Sequence, residues 1–160
     1  MSPDELGRRV WELRGPLMRL ACAIVRRQQD AEDAVSEAVV RAFESLPALH
    51  CDAAVRPWLM KITARCCYDR LRRLRRETPC EDPEPLCAPV EPHGDGTLAD
   101  LIAQLPAGQR EAITLYYYEG FSAQEVAQAL GVPRPTACMR LSRGRKRLRW
   151  LIETEGRNEP

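Results

Sequence analysis

Apolar residues recur every three or four positions along most of this chain, and they never alternate long enough to predict a strand. Val10, Leu13, Leu17, Leu20, Ala21 and Ile24 share one face of a first predicted helix, from about Pro3 to Arg27. Asp30 stands where a cap belongs, ahead of a second helix, DAEDAVSEAVVRAFESL. There Ala31, Ala34, Val35, Ala38, Val39, Ala42, Phe43 and Leu46 form a close amphipathic pattern, and Pro47 stops it. Pro57 sits near the start of a third helix carrying Trp58, Leu59, Ile62, Cys66, Leu71 and Leu74. That helix ends in RLRRLRR, where Leu71 and Leu74 are expected to dock it while the arginines face out.

The pattern then breaks. Glu77 to Pro92 holds five prolines and few core candidates, which predicts an extended, partly stiff linker. Beyond it come a short helix near Leu98 to Leu105, an interruption at Pro106, and a helix from about Gly108 to Tyr118. The last segment, FSAQEVAQALGVPRPTACMRLSRGRKRLR, predicts a helix-turn-helix. Ser122 and Glu125 have capping-box spacing, Val126, Ala127 and Leu130 share a face, and Gly131 suits a left-handed helix end. The expected fold is all-α: two small helical domains, 1–76 and 98–155, joined by an acidic proline-rich linker, 77–97.

Net charge is only +1, but its distribution is uneven. Residues 1–76 hold fifteen bases and ten acids, 77–97 hold six acids and no Lys or Arg, and 98–160 hold nine bases and seven acids. The second helix of the helix-turn-helix carries Arg134, Arg140, Arg143, Arg145, Lys146, Arg147 and Arg149 with no acid among them. Such a helix suits phosphates and the major groove. The first residues, MSPDELGRRV, show no signal-peptide core, and the longest apolar run, Leu20 to Val25, is far short of a membrane span; a soluble cytoplasmic protein is expected. Seven cysteines include no CxxC pair, so reduced thiols are expected, and no metal or other cofactor. Cys80 and Cys87, near His93, are the place where a metal or redox role would sit.

Three blocks carry a family resemblance: DAEDAVSEAVVRAFESL, RPWLMKITARCCYDRLRRLRR, and LIAQLPAGQREAITLYYYEGFSAQEVAQALGVPRPTACMRLSRGRKRLRWLI. In this order they resemble the extracytoplasmic-function sigma factors, the small two-domain members of the bacterial primary sigma family. The resemblance implies a non-enzymatic factor that binds core RNA polymerase, directs it to promoter DNA, helps open the duplex, and is held by an anti-sigma factor. It implies that Glu32, Asp33, Ser36, Glu37 and Arg41 meet polymerase, with Ser36 standing where many relatives have Gln. The minus-ten element would meet the Leu49–Val55 loop, with His50, and Trp58, Lys61, Arg65, Arg70, Arg72 and Arg73; Arg75 and Arg76 extend the basic track. Trp58 has two readings, a base-stacking surface or core, and its stripe favours core. Arg65 stands where relatives usually carry Asn. The minus-thirty-five element would meet Arg134, Thr136, Cys138, Met139, Arg140, Ser142, Arg143, Arg145 and Lys146.

Among these, Cys and Met cannot bind guanine bidentately, so Arg143 is the expected base reader; Arg134, Thr136, Arg140, Arg145 and Lys146 are expected on phosphates. Tyr116, Tyr117, Tyr118 and Trp150 have two readings, nucleic-acid stacking or packing of the helix-turn-helix, and their helix positions favour packing. Two rival readings are a helix-turn-helix regulator that never binds polymerase, and a thiol- or metal-responsive interaction protein. The RLRRLRR end speaks against the first, because a pure sensor unit has no use for it.

Overall fold

The computed structural model describes residues 1–77 and 98–158. The rest of the expected linker, with Cys80, Cys87 and His93, lies outside the described residues. Among the described residues every regular element is helical. The α-helices are α1 Pro3–Glu12, α2 Arg14–Val25, α3 Gln28–Glu44, α4 Val55–Glu77, α5 Leu98–Ala103, α6 Ala107–Ile113, α7 Ala123–Leu130 and α8 Arg134–Asn158. Two 3₁₀ turns, Leu46–Ala48 and Asp52–Ala54, lead from α3 to α4, and a π-helical stretch, Thr114–Tyr118, extends α6. No described helix is long and apolar enough to cross a membrane.

The predicted first helix is two helices, broken at Leu13 (φ −94°, ψ 6°). Pro16 has no N–H for the Glu12 carbonyl and its ring crowds that oxygen, so the turn cannot run on. Ser2 starts α1 with a capping box: Glu5 N donates to Ser2 Oγ at 3.2 Å and Ser2 N to Glu5 Oε2 at 2.7 Å. Asp30 is not the cap of α3. Arg27 holds that position, and Asp30 lies buried in the first turn, where its carboxylate accepts from Arg70 Nε at 2.9 Å. The helix dipole favours an acid there, and the long-range arginine draws it inward. The central stripe of α3 is alanine: Ala31, Ala34, Ala38 and Ala42 are buried, Val35 and Val39 are half-buried, and Phe43 is exposed. Small side chains on that stripe leave room for α2 and α4, which pack against α3 and against each other.

The sequence suggests two modest cores. The buried side chains instead form one continuous cluster, from Leu6, Leu20, Leu59 and Met60 through Leu105, Ile113, Leu115 and Val126. Units of this size bury too little surface alone, and burying one more Leu or Ile side chain contributes about 1.5–3 kcal/mol. The α2–α4 body therefore shares a face with the second unit: α4 packs on α7, and α2 on α6 and the π-helical stretch. The helix-turn-helix forms as the sequence predicts. Glu125 N donates to Ser122 Oγ at 3.2 Å, Ser122 N donates to Glu125 Oε1 at 3.1 Å, and Gly131 takes φ 68°. The Val132 N–H then closes the end of α7 on the Ala127 carbonyl at 3.0 Å.

Candidate nucleic-acid interface

α8 divides its residues cleanly. Ala137, Leu141, Leu148 and Leu151 are buried at spacings of three and four, and Gly144 continues that stripe. The opposite face presents Cys138, Met139, Ser142, Arg143 and Lys146, all exposed, with Arg134 exposed in the first turn and Thr136 half-buried. Two expected phosphate ligands have neighbours within the chain. Arg140 is half-buried and leans toward α6, so close that a Cβ on Gly108 would lie 3.1 Å from its Nε. Arg145 donates from Nε to Tyr117 Oη at 3.1 Å and stacks 4.7 Å above the Tyr116 ring.

Packing accounts for Tyr116, which is half-buried, but not for the other aromatics. Tyr117, Tyr118 and Trp150 are 51%, 41% and 51% exposed. The wide π-helical turn rotates successive tyrosines off the α-helical stripe. Trp150 lies outside on α8 under the Arg147 guanidinium, 4.5 Å from its ring centroid.

On α4 the basic residues fall into two rows. Trp58, Lys61, Arg65, Tyr68, Arg72 and Arg75 lie three or four apart on one face. Trp58 is half-buried and packed on the core, Lys61 is half-buried, and Arg65, Arg72 and Arg75 are exposed. Arg70 and Arg73 turn instead to α3. Arg70 bonds Asp30 and, at 2.8 Å, Asp33; Arg73 reaches Glu37 at 3.2 Å. His50 is exposed in the loop before α4, while Val55, at the end of that loop, is buried.

The expected polymerase face on α3 is thus partly occupied by α4. Ser36 and Glu32 are exposed, but Asp33 and Glu37 carry arginines, and Arg41 bridges Glu37 at 2.5 Å and Asp69 at 3.3 Å. Burial would raise the Asp69 carboxyl, but hydrogen bonds from Arg72 and Arg41 outweigh it and hold the group below its usual range. Exposed pairs of this kind contribute little each; their effect here is to fix which way the arginines turn.

The seam between the units was not legible in the sequence. Glu119 is 3% exposed, and its carboxylate accepts from Arg19 Nε of α2 and Arg56 Nη2 of α4, each at 3.0 Å. Tyr68 Oη donates to Glu111 Oε2 at 2.5 Å, and the buried Arg110 donates to the Ala23 carbonyl at 2.6 Å. A cleft of about 530 Å³ opens along this seam, with Arg65, Tyr68, Arg72 and Arg75 on one wall and Glu111, Leu130, Val132 and Arg140 on the other. Desolvation lowers Arg110 to about 10, helped by the like charge of Arg26. One clue existed: Glu119 follows three tyrosines with no base within four residues, so any partner had to come from far along the chain.

Burial pushes the Glu111 carboxyl above its ordinary value of 4.5, against the lowering pull of Tyr68, Arg110 and Arg140. A raised folded-state value favours the neutral form, so this group's contribution is full below the ordinary range and fades as pH rises through the raised one. Glu111→Gln keeps an acceptor for Tyr68 and removes the charge. It is expected to melt higher than the parent chain at pH 8 and to lose that advantage near pH 4.5. Melting curves by circular dichroism at both values check this; an advantage that grows on acidification contradicts it.

Residues 10–77 match the family model Sigma-70 region 2, and residues 96–148 match Sigma-70, region 4. The chain is similar to the ECF RNA polymerase sigma factor SigM of Mycobacterium tuberculosis, 35% identical over 141 residues that span 85% of this chain and 71% of that protein. It is similar to the RNA polymerase sigma factor SigV of Bacillus subtilis, 30% identical over 140 residues, 86% of this chain and 84% of that one. Among solved structures, the sigma factor RpoE in complex with the anti-sigma factor NepR from Bartonella quintana superposes with a TM-score of 0.80 at 25% identity, covering 93% of this chain and 97% of that one. CnrH in complex with the cytosolic domain of CnrY shares the fold, with a TM-score of 0.67 at 23% identity over 96% of this chain and 90% of that one.

Proposed function

This chain belongs to the sigma-70 family, among its extracytoplasmic-function sigma factors, and from that premise we propose how its surfaces divide the work of an alternative sigma factor. Residues 1–76 act as the unit that meets core RNA polymerase and the minus-ten element. The exposed Glu32 and Ser36 of α3, with Glu37 and Arg41 beside them, offer a charged face that sets specificity and association rate for a basic partner helix. The α4 row of Lys61, Arg65, Arg72 and Arg75 carries the non-template path, with Arg65 replacing a base contact by a phosphate contact. Residues 98–155 act as the unit that docks α8 in the major groove at the minus-thirty-five element, reading it through Arg143 and anchoring through Arg134 and Lys146. The factor works in the cytoplasm and is restrained by an anti-sigma partner, as the solved RpoE is bound to NepR.

What carries this reading is the occurrence of both sigma regions, in order, on one chain whose recognition face is open. A helix-turn-helix regulator acting alone leaves residues 10–77 without a role. Run-off transcription with core polymerase, this chain and templates bearing mapped start sites is expected to give promoter-specific transcripts. DNA binding without initiation at every such template overturns the reading.

A further inference from the structure

The cleft beside α4 gathers positive charge that the chain does not itself neutralise. Its two acids are engaged: Asp69 accepts from Arg41 and Arg72, and the buried Glu111 accepts from Tyr68 Oη at 2.5 Å. Arg65 and Arg75 on one wall and Arg140 on the other carry no hydrogen bond or ion pair among the described residues. Like charges brought to one concave surface repel one another and focus an attractive field on a passing anion. Arg140 is also held there by its surroundings. It lies over Gly108 of α6, whose missing side chain leaves it room, since a Cβ at that position would come within 3.1 Å of its Nε and 3.2 Å of its Cζ. It is half-buried, whereas Arg143 and Lys146 of the same helix stand exposed on the outer face.

The lining selects among anions. A guanidinium is a planar fork of donors that suits two phosphate oxygens at once. Three unpaired forks exceed the need of a single phosphate and suit a chain of two or three. Apolar side chains lie among these charges: Tyr68 and Leu71 are half-buried on α4, and Leu130 and Val132 line the facing wall. A flat ring covers such a surface, and an inorganic anion does not. The volume of about 530 Å³ falls in the range of about 300–1,000 Å³ usual for small-molecule sites.

We propose that this cleft is a binding site for a nucleoside di- or triphosphate, with the phosphates held by Arg140 together with the unpaired arginines of α4 and the base laid against Tyr68, Leu71 and Val132. Occupancy covers Arg65 and so withholds it from the non-template path. That consequence rests on the sigma reading proposed for this chain and makes the nucleotide a brake on the factor; the binding itself does not depend on it.

The test is isothermal titration calorimetry of the full chain, without polymerase or promoter DNA, in a phosphate-free buffer. The probes are ATP and GTP, with pyrophosphate and a short single-stranded deoxyoligonucleotide compared at the same ionic strength. At least one of the two nucleotides is expected to bind one to one, and about tenfold or more tighter than pyrophosphate. Arg140→Ala is expected to weaken nucleotide binding by about tenfold or more, the size of a lost hydrogen bond to a charged group, and to leave the oligonucleotide, which follows the exposed α4 row, unaffected. Circular dichroism reports whether the helices persist. If Arg140→Ala loses them, Arg75→Ala, at an exposed position near the end of α4, takes its place with the same expected loss of nucleotide binding. The absence of saturable binding by either nucleotide at millimolar concentration overturns the site, as does a folded variant that binds like the parent chain. Equal binding of pyrophosphate shows an adventitious ion only and overturns it too. An equal loss of nucleotide and oligonucleotide in Arg140→Ala assigns the cleft to the strand and overturns it as well. A chain that binds nucleotide but never initiates with core overturns the sigma reading instead and leaves the nucleotide site standing.

Discussion

Arg143→Ala is expected to weaken binding of the core-associated factor to its upstream element by about tenfold to hundredfold and to relax base preference at one position. The magnitude is that of one bidentate arginine–guanine pair, about 1–3 kcal/mol. Arg143 stands exposed on the outer face of α8, with Cys138, Met139 and Ser142 around it. None of those three offers a rigid two-donor fork, so none of them can substitute. The element is first defined by the upstream hexamer common to mapped start sites, and binding is then measured on duplexes substituted at each position. Lys146→Ala is the control. Removing a phosphate anchor weakens binding to all sequences alike and reduces the slope of log affinity against log salt by about 0.9. If Arg143→Ala behaves as Lys146→Ala does, uniform across sequences, Arg143 is a phosphate anchor and the base reading lies elsewhere on the helix.

Gly144→Val is expected to destabilise the chain by about 2 kcal/mol or more, a drop of roughly 4–8 °C in melting temperature. Glycine in the middle of a helix is ordinarily a weakness, and replacing it by alanine gains about 1 kcal/mol in propensity. Here packing outweighs propensity. A Cβ built on Gly144 lies 2.6 Å from Ile113 Cγ1 and 3.0 Å from Cδ1, and Ile113 is fully buried with no room to retreat. Valine adds two further methyls to that clash. Gly7→Ala supplies the contrast. It lies inside α1, its nearest neighbour would be Phe43 Cζ at 4.0 Å, and it is expected to raise stability. Thermal melts of the two variants should move in opposite directions; a Gly144→Val chain that melts with the parent removes the close α6–α8 approach from the account of how the recognition helix is seated.

The helix-turn-helix was legible because each of its signals is local. Ser122 and Glu125 are three residues apart, Gly131 ends α7 by its own backbone freedom, and the stripe of Ala137, Leu141 and Leu148 is a matter of period. The outward set of Cys138, Met139, Ser142 and Arg143 follows once that stripe is turned inward. The α4 arginines show where such reasoning stops. RLRRLRR says that the face is basic, but it cannot say that Arg70 and Arg73 are claimed by Asp30, Asp33 and Glu37 on α3, or that Arg72 pairs with Asp69 on its own helix. The break at Leu13 was readable in principle from Pro16, four residues after Glu12, yet the unbroken apolar period concealed it.

By itself, the sequence determined the all-helical character, the basic outer face of α8 and membership of a two-region family, since periods and motif order need no knowledge of what lies across the molecule. Tertiary structure alone decided that two cores are one, that Arg140 leans on α6 and Arg145 on the tyrosines ahead of α7, and that Glu119 joins Arg19, a hundred positions away. A helix fixes neighbours three and four residues apart; which distant charge follows a carboxylate out of water is settled only when two faces meet and each must satisfy the other.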